Sequence, residues 1–86
     1  MVINLEFDNQ FSPAEAAQAE VAARDVLGRS GGDWDVRFFN DIGRATYGVR
    51  VRSRERMVVR IFDGRPGLGS AVRVALSSAM AQIARP

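Results

Sequence analysis

A single α+β domain is the fold class this sequence predicts: a three- to four-stranded, mainly antiparallel sheet with two helices packed on one face, in the order β-α-β-β-β-α. Three observations carry that reading. Ser12-Pro13-Ala14-Glu15 combines an N-cap serine, proline at the first helical position and glutamate three residues after the cap. Four stretches alternate apolar and polar residues, as strands with one buried face do. Val72, Leu76, Ala79, Met80 and Ile83 recur at helical spacing near the end of the chain. The 86 residues suit one domain spanning 1–86.

Taken in order, Val2 to Phe7 sets Ile3, Leu5 and Phe7 against Asn4 and Glu6, which reads as a short strand. The pattern leaves its place in the sheet open. The capping box then opens a helix from Pro13 to about Leu27, with Gly28 as the residue that ends it. Ala16, Ala19, Ala22, Ala23, Val26 and Leu27 share one face, while Glu20, Arg24 and Asp25 point away. Arg29 to Asp33 is a loop. Trp34 to Phe39 is a strand with Trp34, Val36 and Phe38 on one face, and Asn40 to Gly43 turns the chain. Ala45 to Ser53 follows as a strand with Tyr47, Val49 and Val51 inward, then Arg56 to Phe62 with Met57, Val59 and Ile61 inward.

Parity constrains the hairpin between those last two strands. A two-residue turn at Arg54-Glu55 would oppose Val51 and Val58, an inward residue against an outward one. A three-residue loop, Arg54-Glu55-Arg56, opposes Val51 and Val59 and matches the apolar faces, so the odd loop is expected. Asp63 to Gly69 is a glycine- and proline-rich loop, and Ser70 is expected to cap a second helix running to about Ala84. Arg73, Ser77 and Gln82 are expected to face solvent.

Apolar residues make up 47% of the chain and charged residues 26%, a balance that supports a folded core. Cysteine, histidine and lysine are all absent, and all 12 basic residues are arginine. No disulfide, zinc-thiolate site or thiol nucleophile can form. The common general bases and nucleophiles are missing, so no enzyme activity is expected. Asp33, Asp35, Asp41 and Asp63 match no calcium loop, and neither a metal nor a cofactor is expected. The start, Met1-Val2-Ile3-Asn4-Leu5-Glu6, has no basic region before an apolar run. Neither a signal peptide nor a membrane span is expected, and the default compartment is the cytoplasm. A core this small also brings dimerisation into play.

Charge is divided unevenly. Residues 1–43 carry three arginines against eight carboxylates, and residues 44–86 carry nine arginines against two. The asymmetry points to an anionic partner more than the net charge of +2 does. Alternation places Arg50, Arg52 and Arg60 on the outer face of the sheet, and the odd loop sets Arg50 across from Arg60. Arg54 and Arg56 extend this stripe into the hairpin, and Val58, Phe39 and Phe62 add exposed apolar surface. Like charges opposed across strands cost stability, which calls for an anionic neighbour. Asp35, on the same face as Arg37, and Glu55 can supply part of it.

The loop Gly64-Arg65-Pro66-Gly67-Leu68-Gly69-Ser70 has the glycine spacing of a phosphate loop. The next two positions are Ser70 and Ala71 in place of lysine and a hydroxyl residue, so nucleotide hydrolysis is rejected. Gly67, Gly69 and Ser70 at a helix N-terminus, with Arg65 and Arg73 nearby, remain a candidate site for one phosphate or carboxylate.

From Pro13 onward the order α-β-β-β-α resembles the double-stranded RNA-binding domain, in topology and over about three quarters of the chain. The resemblance implies RNA contacts at the start of the second helix, here Ser70-Ala71-Val72-Arg73-Val74-Ala75. The family's free sheet face is not its main RNA surface, so the arginine stripe needs its own explanation. The expected function is a non-enzymatic binding module that engages an anionic partner through Arg50, Arg52, Arg54, Arg56, Arg60, Arg65 and Arg73, with nucleic acid the first candidate. The alternative is a protein-interaction or inhibitor protein that binds an acidic protein surface, or a homodimer paired through the sheet.

Overall fold

The computed structural model describes residues 2–8, 10–41, 46–64 and 67–84. The element order is β1 (Val2–Phe7), α1 (Pro13–Ser30), β2 (Asp33–Asp41), β3 (Thr46–Ser53), β4 (Arg56–Asp63) and α2 (Leu68–Ala84). One four-stranded sheet runs β1-β2-β3-β4. β1 lies parallel to β2, and the other two pairings are antiparallel. The predicted α+β class and element order hold, and β1 finds its place at the edge beside β2.

Local chemistry accounts for α1. The Ser12 hydroxyl accepts from the Glu15 amide at 3.1 Å, and the Glu15 carboxylate accepts from the Ser12 amide at 3.0 Å. These bonds satisfy two of the donors a helix start leaves open. The helix continues past Gly28 to Ser30 and ends at Gly31, whose φ is 66°. A lone glycine inside a helix costs only about 1 kcal/mol, which a packed helix absorbs. The left-handed backbone at Gly31 and Gly32 is what turns the chain away.

Both helices cover one face. Ala19, Ala22, Ala23 and Leu27 of α1 and Val72, Leu76 and Ala79 of α2 bury against Val36, Phe38, Val49, Val51 and Val58 of the sheet. Phe7, Phe11, Phe38, Tyr47 and Phe62 form a chain of rings at one end of this core, with centroids 5.1–6.2 Å apart. The Tyr47 hydroxyl donates to Glu15 at 2.6 Å, so the residue that caps α1 also ties it to β3.

The β3–β4 hairpin corrects the expected register. The turn has two residues, Arg54 and Glu55, and Ser53 pairs with Arg56. Val51 therefore opposes Val58, and Val49 opposes Arg60. Val58 is 8% exposed, whereas Met57, Val59 and Ile61 are 57%, 45% and 62% exposed on the other face. Arg54 takes the strained positive φ of 58° that this tight turn requires. β4 is an edge strand whose helix side packs against α2. The stems of Arg56 and Arg60 lie along α2 and carry their guanidinium groups to acceptors on that helix, so that side does not need three aliphatic residues.

α2 also begins earlier than expected. Leu68, 8% exposed, packs into the core and draws the helix start to itself. Ser70 is therefore within the first turn and is not its cap.

Candidate partner-binding face of the sheet

The face away from the helices is open. Cross-strand register arranges it in rows. One row runs Asn4, Asp35, Arg52, Met57, and the next Glu6, Arg37, Arg50, Val59. A third holds Phe39, Gly48 and Ile61. The face thus grades from acidic and polar on β1, through arginine on β2 and β3, to aliphatic on β4. Gly48 lets the Phe39 ring lie flat across β3, because a Cβ there would overlap the ring.

Arg37 and Arg50 stand directly opposite each other. Neither they nor Arg52 and Arg54 make a hydrogen bond or ion pair with a described residue. Asp35 opposes Arg52 in register without closing a salt bridge. The like-charged pair is an unfavourable arrangement that an incoming anion would relieve.

The other predicted arginines are elsewhere. Arg60 does not face Arg50; it lies on the helix side and donates to Ser78 at 3.3 Å and to Gln82 of α2. Arg56 donates to the Ile83 carbonyl at 2.6 Å, where the last turn of α2 exposes free acceptors. Arg73 donates to Asp25 of α1, and Arg29 reaches the same carboxylate at 3.3 Å. The Arg73 hydrogen bond holds the Asp25 carboxyl below its usual range. Arg73 and Asp25, both expected to point to solvent, instead link the two helices. Arg65 lies outside the described residues. At the expected anion loop, Gly67 O accepts from the Ala71 amide at 3.0 Å, and Gly69 and Ser70 lie in the helix.

Compared with models of protein families and with curated proteins, the sequence matches none. Among the described residues, no group of three or more His, Cys, Asp or Glu could hold a metal ion. No helix among them is long and apolar enough to cross a membrane.

The register exchanged some of the expected exposed residues for others. Val58 is buried, and Phe62 stacks on Tyr47 at 5.9 Å within the core. Met57, Val59 and Ile61 take their place on the open face, and Arg37 joins Arg50 and Arg52. Alternation within each strand already placed Arg37 and Arg50 outward; their opposition required the β2–β3 pairing.

Proposed function

We propose that this chain is a non-catalytic binding module whose open sheet face docks an acidic protein surface. The observation that carries this reading is the opposed, unpaired Arg37–Arg50 couple beside an exposed aliphatic strip. Guanidinium groups bind carboxylates in a planar fork, and arginine flanked by apolar area is typical of protein interfaces. Glu6 and Asp35 border the arginines on the other side and would repel a continuous phosphate backbone. Among the described residues the one aromatic ring on this face, Phe39, is half-buried against Gly48, which leaves few platforms for stacking bases.

Nucleic acid is the second reading, favoured by Arg50, Arg52 and Arg54, which follow one another along β3 into the turn. The two are separated by capture from nuclease-treated extract of the source cell, set beside titration of labelled duplex RNA and single-stranded DNA. The protein reading expects captured acidic proteins that are lost with Arg37→Glu plus Arg50→Glu, and no tight binding of either nucleic acid. Nucleic-acid affinity that depends on Arg50 and falls with log salt at a slope of about −0.9 per phosphate contact would replace it.

A further inference from the structure

The free edge of β4 carries an inference that does not depend on the acidic-partner reading. We infer that two copies of this chain pair through β4, antiparallel about a two-fold axis at Val59, to form one continuous eight-stranded sheet. The two-residue turn makes Ser53 and Arg56 a hydrogen-bonded pair, so Arg56, Val58, Arg60 and Phe62 direct their backbone groups to β3. Met57, Val59 and Ile61 then direct theirs to the free edge, and the same three residues expose their side chains on the open face. An edge this long and aliphatic, with no proline or lysine, is a template for another strand. β1, the opposite edge, differs: it is shorter and presents Asn4 and Glu6 on that face.

Self-pairing selects one register. Centring on Val59 opposes Val59 to itself and Met57 to Ile61 of the second copy, which joins two aliphatic strips into one. On the helix side it sets Arg60 against Val58 and Arg56 against Phe62, so no arginine faces an arginine. Shifting the axis to Val58 would oppose Arg56 and Arg60, and shifting it to Arg60 would oppose Arg60 to itself. At the chosen register Arg50 and its copy lie about three strand spacings apart, roughly 14 Å, which is beyond the Debye length at physiological salt. The helix side has room as well. A groove between β4 and α2 is bordered on its β4 side by Arg60, Phe62 and Asp63 and on its α2 side by small or aliphatic residues such as Ala71 and Val74, which a flanking strand can approach.

The chain has no cysteine, so a single introduced one reports cleanly. Hydrogen-bonded partners sit about 5.5 Å apart at Cα, within the range that a disulfide spans. Val59→Cys is therefore expected to form a covalent dimer under mild oxidation at least about tenfold faster than Val21→Cys, which places the thiol on exposed α1 surface. Light scattering on the unmodified protein at ~0.5 mM should give twice the mass of one chain. Val59→Arg, which opposes two guanidinium groups at the axis, should give a single chain with an unchanged circular dichroism spectrum. A monomeric unmodified protein at that concentration, a dimer that survives Val59→Arg, or equal crosslinking of the two cysteine variants would each overturn the inference. Because Arg37 and Arg50 lie off the pairing strand, their charge reversal leaves the dimer intact, which keeps this test separate from the acidic-partner test.

Discussion

Arg56, Arg60 and Arg73 reach acceptors on neighbouring elements, whereas Arg37, Arg50 and Arg52 stand on the opposite side of the sheet with no partner among the described residues. Residue type is the same, and sequence spacing barely separates Arg50 from Arg56. What differs is the neighbour. The helix side offers the last carbonyls of α2, a serine, a glutamine and Asp25; the open side offers another arginine across the strand. The first group holds helices to each other and to the sheet. The second makes no such link among the described residues.

The largest test of this division is the register that produces it. Val58→Asp buries an unpaired carboxylate under α2 and should cost about 3 kcal/mol or more. Val59→Asp, on the open face, should cost less than about 1 kcal/mol in dilute solution. Urea unfolding of both variants decides the matter, and the reverse ranking would restore the odd-loop register.

A smaller effect is expected where the sheet meets the α1 cap. Tyr47 holds the Glu15 carboxyl below its usual range, chiefly by its hydrogen bond, and Glu15 in turn raises the Tyr47 phenol above its own. The carboxylate's contribution is complete above its unfolded-state value, near pH 4, and is lost as acid protonates it. The phenol's is complete below about pH 10 and is lost as alkali ionises it. Tyr47→Phe should lower stability by about 1–2 kcal/mol at neutral pH and remove the alkaline loss. Acid sensitivity should become shallower but persist through Asp25, whose depressed value depends first on Arg73. Denaturation midpoints across pH check both signs.

The smallest effects compare the two arginine groups directly. Arg60→Met removes bonds to Ser78 and Gln82 and should cost about 0.5–1 kcal/mol. Arg50→Thr relieves the opposition to Arg37 and should leave stability unchanged or raise it by a few tenths, about 0.2–0.5 kcal/mol. Thermal unfolding of the two variants in the same buffer is sufficient. A clear loss with Arg50→Thr would make that arginine structural.

By itself the sequence determined what depends on near neighbours. The capping box at Ser12 and Glu15, the inward residues of β2 and β3, and the buried stripe of α2 all follow from periods of two or 3.6 residues, and all are present. The outward placement of Arg50 and Arg52 followed from the same alternation. The face of β4 did not, because Met57-Val58-Val59-Arg60-Ile61-Phe62 carries apolar residues at both parities. Either register buries some of them. Tertiary contact decided between the two: Phe62 stacks on Tyr47, Val58 fits beneath α2, and the stems of Arg56 and Arg60 lie along that helix to reach its acceptors. The same choice removed two arginines from the outer face and put three aliphatic residues there. A one-residue difference in a turn is nearly silent in local propensity, yet it reverses every side chain that follows in the strand.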